Sequence, residues 1–260
     1  MRSEKNTLPI AVIDSGVGGI SVLRELIKIL PHENFIYFGD SKNAPYGTKT
    51  KNEVLQITRD NLEMLKDMGI KALVIACNTA TSVTARILRA ENPDLPIIGI
   101  EPAIKPPADT LEHPRVLVMA TPLTLKEEKF LSLVKKCSDR AEIIPLPCPG
   151  LVELIENGDV DGEEIDSYLS ELFKPFKTEK IDALVLGCTH YPHVRKIIER
   201  HIPPTAKIFD GGYGTAVETR RRLLSAGLLN ESGNEGRVEI LNSSKDEKLI
   251  ELSKKLLHSQ

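Results

Sequence analysis

Among the four cysteines of the chain, Cys77, Cys137, Cys148 and Cys188, two share a context. Ile70–Ile87 reads IKALVIACNTATSVTARI and Ile181–Ile198 reads IDALVLGCTHYPHVRKII. Laid over each other without gaps, the segments match at Ile, Ala, Leu, Val, Cys, Val and Ile, with Cys77 falling on Cys188. Each reads as a buried strand that ends in a small residue and a cysteine, then a polar pair (Asn78-Thr79; Thr189-His190) and a helical pattern. Ala, Leu, Val and Ile are what any buried parallel strand contains, but the cysteine occupies the position where such a strand meets the ligand crevice. A thiol titrates near pH 8.5, and a helix N-terminus lowers that value toward neutrality. Two such thiols on opposed lobes suit two-base racemisation, in which a proton leaves one face of a carbon and another arrives on the opposite face. A carbon next to a carboxylate is a weak acid, so donors must surround the charge that develops on that carboxylate.

Other residues admit competing readings. Asp14 ends an apolar run before a Gly-rich turn and by itself could be a turn or capping residue. Gly16, Gly18 and Gly19 suggest a dinucleotide loop, but Ser21 stands where the third glycine of that fingerprint is needed. Cys188, His190 and His193 match no common zinc spacing, and no metal is expected. A Cys-His nucleophile, with Cys77 or Cys188 attacking a carbonyl and His190 as base, would make an amidohydrolase and leave the second cysteine idle. A non-catalytic ligand-binding module would need neither thiol. Cys137 and Cys148 read as small buried hydrophobes. Tyr46 could be an ordinary turn aromatic, and Arg220, Arg221 and Arg222 a solvated or interface face.

The elements that hold these residues alternate strand with helix. Pro9–Asp14, Asn34–Gly39, Ala72–Ala76, Pro96–Ile100, Arg115–Ala120, Ala141–Pro145, Ala183–Gly187 and Lys207–Asp210 read as buried strands, with one more at Arg237–Leu241. Helical patterns run between them, as at Leu23, Leu26, Ile27 and Leu30 before Pro31. This is an α/β chain of two pseudo-symmetric lobes with largely parallel central sheets, its site in the cleft between them. The prolines of Glu101–Asp109 and of Ile202–Thr205 mark the crossings. They give a discontinuous first lobe of residues 1–100 plus 206–260 and a second lobe of residues 101–205.

Composition narrows the partners. The net charge is −3 and aromatics make up 4%, without Trp, which gives no footprint for nucleic acid. No apolar run approaches a membrane span, and the start lacks a secretory h-region, so the expected location is cytoplasmic. Four cysteines without a C-x-x-C pair are expected as free thiols.

DSGVGG (Asp14–Gly19), PYG (Pro45–Gly47), ACNTAT (Ala76–Thr81), IEPA (Ile100–Ala103) and GCTHYP (Gly187–Pro192) together closely resemble the glutamate racemase family, from about Ile10 to about Leu224. Small departures are Ile20-Ser21, where Leu-Thr is frequent, and Ala103, where Gly is. The resemblance implies interconversion of L- and D-glutamate for bacterial peptidoglycan, without pyridoxal phosphate or metal, in a homodimer. It implies Cys77 and Cys188 as the two acid/base groups, Asp14 assisting Cys77, and His190 with Glu153 assisting Cys188. It further implies substrate contacts from Asp14, Ser15, Tyr46, Gly47, Asn78, Thr79, Thr189 and His190. The motif behind Glu153 is the loosest of these. Racemisation of aspartate or another acidic amino acid remains an alternative, as does the thiol hydrolase.

Overall fold

A computed structural model describes residues 2–258 of the chain. The strands are β1 (Ile10–Asp14), β2 (Phe35–Gly39), β3 (Ala72–Ile75), β4 (Ile97–Gly99), β5 (Arg115–Ala120), β6 (Glu142–Pro147), β7 (Ala183–Leu186), β8 (Lys207–Asp210) and β9 (Val238–Asn242). They form a five-stranded sheet in the order β4-β3-β1-β2-β9 and a four-stranded sheet in the order β6-β5-β7-β8. Every pairing is parallel. The β-branched runs explain why: β1, β3 and β7 are buried along their whole length, as strands covered by helices on both faces must be. Alternate residues feed separate cores. Ile10 and Val12 enter one apolar cluster and Ala11 and Ile13 another, while Leu117 and Met119 are divided in the same way from Val116 and Val118.

The two sheets share a plan. β1 and β5 are the first strands of their sheets, β2 and β6 lie on one side, and β3 and β7 followed by β4 and β8 lie on the other. The strand order therefore reverses between β1 and β3 in one sheet and between β5 and β7 in the other. Ligand crevices open at such reversals, beyond the carboxyl ends of the strands.

One boundary moves. Lys207–Asp210, assigned by the sequence to the returning first lobe, pairs with β7 from Ala183↔Lys207 to Leu186↔Asp210 and completes the second sheet as the counterpart of β4. Pro203 and Pro204 thus shape a turn into β8, and the chain returns to the first sheet only beyond it. The outgoing and returning segments pass closely there: a Cβ at Gly211 would sit 2.6 Å from the Glu101 carbonyl oxygen. The helix Gly212–Ala226 then buries Ala216, Thr219 and Leu223 and stops at Gly227, which takes φ +66°.

Candidate active site

Both strand-order reversals open onto one cavity of about 100 Å³. The first sheet contributes Ser15 from beyond β1 and Cys77, Asn78 and Thr79 from beyond β3. The second contributes Thr121 and Thr124 from beyond β5 and Cys188, Thr189 and His190 from beyond β7. The turn Tyr46–Thr48 and the segment Cys148–Glu153 complete the wall. The repeated strand–Cys segments thus bring both thiols to one cavity, each thiol almost fully buried.

The two cysteines differ in setting. Cys77 is the N-cap of the helix Asn78–Glu91: its Sγ accepts the Ala80 N–H at 3.5 Å and donates to Ser15 Oγ at 3.8 Å. Burial, followed by the charge of Asp14, pushes this thiol up to about 12, although the helix amide and Ser15 pull the other way. The expected lowering by a helix N-terminus is present at Cys77 but outweighed. After Cys188, Pro192 lacks an N–H and a 3-10 turn, Tyr191–Val194, replaces the first turns of an α-helix. That turn brings His190 Nδ1 to 3.6 Å from Cys188 Sγ, while His190 Nε2 lies 2.6 Å from Glu156 Oε1. Burial disfavours an imidazolium here, but the bonds to Cys188 and Glu156 outweigh it and raise His190 well above its ordinary value. Burial raises the Glu156 carboxyl too, yet the His190 bond and that from Val17 N–H (2.7 Å) leave it below the usual carboxylate range. An imidazolium with a carboxylate behind it offers Nδ1–H to the Cys188 sulfur, which is the bond that stabilises a thiolate.

Glu156 is the residue that sequence reasoning missed. Glu153, expected behind His190, is exposed at the edge of the cavity and makes no bond to the imidazole among the described residues; Glu156, about one helical turn further, makes that bond instead. Both lie on the helix Leu151–Glu156, and the sequence LVELIE does not say which carboxylate faces inward. A signal lay elsewhere, in the glycines of DSGVGG. A Cβ at Gly16 would run into the Glu156 carboxylate, and one at Gly18 into the His190 ring. These glycines make room for the acid and the imidazole of the other lobe.

Asp14 does not line the cavity. Its Oδ1 accepts Gly16 N–H at 3.0 Å and its Oδ2 the Thr189 hydroxyl at 3.0 Å, which joins the ends of β1 and β7. Burial raises its carboxyl above the ordinary value. Ser21 Oγ lies 2.9 Å from Gly18 O and 2.8 Å from Thr189 O, and His193 Nε2 donates to Gly18 O at 3.1 Å. The Gly-rich turn is thereby fastened to the opposite lobe. Tyr46 is buried with its hydroxyl donated to Asp40 at 2.6 Å, so its ring and backbone, not the phenol, face the cavity. Asn78 is buried with Oδ1 unpartnered. Cys148 also lines the cavity, with burial pushing its thiol up to about 12. Cys137 lies in the core between the second sheet and its helices. Among the described residues, no group of three or more His, Cys, Asp or Glu side chains is arranged to hold a metal ion. No helix among them is long and apolar enough to cross a membrane.

Comparison with known proteins relates the whole chain to one family. The model of the Asp/Glu/hydantoin racemase family matches residues 10–216. A glutamate racemase of Clostridium acetobutylicum is 51% identical over 258 residues, covering 98% of this chain and 99% of the relative. One from Clostridium botulinum is 49% identical over 256 residues, covering 98% and 99%. Among solved structures, glutamate racemase from Francisella tularensis in complex with D-glutamate superposes with a TM-score of 0.84 at 29% identity, covering 98% of this chain and 95% of that one. The Escherichia coli glutamate racemase, in complex with L-glutamate and the activator UDP-MurNAc-ala, gives 0.84 at 27% identity, covering 96% and 95%. By both the extent of the family match and the identity to these relatives, the chain belongs to the Asp/Glu/hydantoin racemase family.

Proposed function

We propose that the chain interconverts L- and D-glutamate by two-base proton transfer at Cα, with Cys77 and Cys188 on opposite faces of the substrate. The observation that carries this reading is the delivery of one cysteine from each lobe, at equivalent strand ends, into a single cavity. The relatives named above, and the two solved complexes with glutamate, supply the substrate.

In one direction, a thiolate at Cys188 removes the α-proton while Cys77 gives its proton to the other face of the carbanion; in the other direction the roles reverse. No group is oxidised or reduced, and one proton enters as one leaves. His190, backed by Glu156, balances charge on the Cys188 sulfur. Asp14, through Thr189 and the backbone of the Gly-rich turn, holds the ends of β1 and β7 together and sets the field at Cys77. Ser15, Asn78, Thr189 and the Tyr46-Gly47 backbone surround the substrate with neutral donors and acceptors. The two thiols carry both proton transfers, so no cofactor is required, and the D-glutamate produced suits cell-wall peptidoglycan synthesis in a bacterial cytoplasm.

Incubation with L-glutamate in D₂O tests this directly. Loss of the α-proton signal together with decay of optical rotation is expected, and neither should respond to a metal chelator. Absence of both changes overturns the proposal, and a greater turnover of aspartate would reassign the substrate. The Cys188–His190–Glu156 arrangement also has the form of a nucleophile, base and orienting acid, the observation that favours an amidohydrolase. Ammonia release from glutamine, persisting in Cys77→Ala, would select that reading.

A homodimer is part of the same proposal. Tyr213, Val217 and Leu224 are exposed along one stripe of the helix Gly212–Ala226, a surface that a second copy would cover. Sedimentation at micromolar concentration is expected to give twice the chain mass, and Leu224→Glu to reduce it.

A further inference from the structure

Asp40, outside the cavity, is a carboxylate that the proton transfers do not use. It follows β2 and is fully buried, and every side chain described as bonded to it is neutral. Its Oδ2 accepts the Tyr46 hydroxyl at 2.6 Å and Asn61 Nδ2 at 3.0 Å. Asn43 Nδ2 lies 3.1 Å from Oδ1 and 3.0 Å from Oδ2. An ordinary turn aspartate accepts a backbone N–H close by in the chain, as Asp14 does from Gly16. Among the described bonds, the Asp40 side chain accepts none of that kind and reaches instead to Asn61 on the helix Lys51–Asp67. A buried carboxylate is costly unless hydrogen bonds replace its water, so the charge and its three donors hold one another in place.

Tyr46 belongs to the turn that walls the cavity. Pro45, Tyr46, Gly47 and Thr48 all line it, and among the described residues the Tyr46 hydroxyl is the one side-chain group of the four bonded beyond the turn. Gly47 rests against the other lobe, where a Cβ on it would lie 3.0 Å from Thr121 Cβ. Thr121 and Thr124 meet Thr79 across the cleft at this seam, each at 3.1 Å.

We infer that Asp40 is a positioning residue: its carboxylate sets the height of the Tyr46-Gly47 backbone over the cavity, and through it substrate affinity, without touching the substrate. The Tyr46 ring packs in the apolar cluster that also holds Cys77, which fixes it sideways. A packed ring can still slide along its own long axis, and a bond at its tip prevents that. A bond to a carboxylate is roughly twice as strong as one between neutral groups, which is the reason for a charge at this position. Burial, followed by the charge of Asp40, raises the Tyr46 phenol well above its ordinary value, so the hydroxyl stays a donor. Groups that recognise a small ligand must be held within about 0.5 Å of their place, and a sliding turn would exceed that.

The inference rests on glutamate as the ligand of the cavity, and its test separates the two. Wild-type exchange of the α-proton in D₂O reports on racemisation alone, whereas calorimetric titration of glutamate reports on affinity without turnover. Asp40→Asn keeps the size, but all three partners donate, so its amide NH₂ must face a donor. Glutamate KM and the calorimetric Kd are each expected to rise about tenfold or more, with kcat falling less than KM rises. Adding Asn43→Asp gives that NH₂ an acceptor and should recover most of the affinity, a rescue that mere loss of packing would not show. Constants within twofold of wild type in folded Asp40→Asn, a loss confined to kcat, or a double variant no better than the single would each overturn the assignment. Should Asp40→Asn fail to fold, Tyr46→Phe decides, since it keeps the ring and removes the bond at its tip. A comparable rise in KM and Kd is expected there, and wild-type constants overturn the assignment while leaving racemisation intact.

Discussion

Glu156 Oε1 lies 2.6 Å from His190 Nε2, and the same oxygen takes the Val17 N–H at 2.7 Å. One carboxylate thus fixes the imidazole beside Cys188 and fastens the Gly-rich turn of the other lobe. Its geometric precondition is Gly16, whose missing side chain leaves the space that Glu156 fills.

Glu156→Gln keeps the shape and one possible hydrogen bond but removes the charge behind His190. Without that charge, burial dominates, and the imidazole should titrate lower than in wild type. kcat is expected to fall about tenfold to a hundredfold, the usual cost of losing an orienting partner of this kind. Glu153→Gln should leave the His190 titration in place. NMR titration of the ring, alongside kcat for both variants, checks the contrast. Equal losses in the two would return Glu153 to the role that the family resemblance implies for it.

Much of this arrangement was legible in the sequence. The β-branched runs give strands because the same residues satisfy two buried faces, and the Cys77/Cys188 repeat survives as equivalent strand ends. Other features depend on space rather than on order along the chain. Whether Lys207–Asp210 joins the first sheet or the second depends on which edge is open, and its own residues carry no mark of that. Glu153 and Glu156 lie about one turn apart on a short helix, and only the docking of that helix against Gly16 selects between them. The hydroxyls of Thr79, Thr121 and Thr124 meet across the cleft from separate segments, so no local motif joins them.

Cys77→Ala and Cys188→Ala should each abolish racemisation, because each removes the proton partner on one face. The equilibrium constant of a racemisation is unity, so kcat/KM must stay equal in the two directions for any variant, and direction cannot be read from that ratio. Residual α-deuterium incorporation can be. The remaining thiol addresses one face, so the two variants are expected to label opposite enantiomers. Incorporation into the same enantiomer in both would contradict thiols on opposite faces.

Alkaline stability should depend on Cys77. Its folded-state value is raised from 9.0 to about 12, so the unfolded chain releases this proton first and the folded state is favoured while the group stays protonated. The contribution is full below about 9 and is lost as pH rises toward 12. Cys148 is raised over the same window and acts in the same direction. Denaturant midpoints measured across that range should decline less steeply in Cys77→Ala than in wild type. Identical slopes would show that the two states titrate alike.

His193 should do the reverse at acid pH. Burial and the neighbouring His190 lower it to about 3, and its Nε2–H is committed to Gly18 O. The unfolded chain takes up this proton near pH 6.5, so its stabilising contribution is present above that value and is lost as pH falls toward 3. In His193→Gln the side-chain amide can still donate to Gly18 O but does not titrate. Its midpoint should therefore fall less than that of wild type between pH 6.5 and 4, with near-normal kcat at neutral pH. A variant as acid-sensitive as the parent would assign that sensitivity to other groups.

Gly18→Ala tests whether the turn holds the His190 imidazole in place. The added methyl would occupy the position of the His190 ring, and that ring cannot yield without releasing either Cys188 or Glu156. The fault is confined to the interface between the lobes, because Gly18 lies beyond β1 and outside its hydrogen-bonded ladder. Each sheet should therefore keep its fold, with circular dichroism unchanged and kcat reduced by a factor comparable to that of Glu156→Gln. Combining the two changes should cost little more than either alone, since both displace the same ring. Losses that multiply would mean that the glycine and the glutamate act on separate parts of the site.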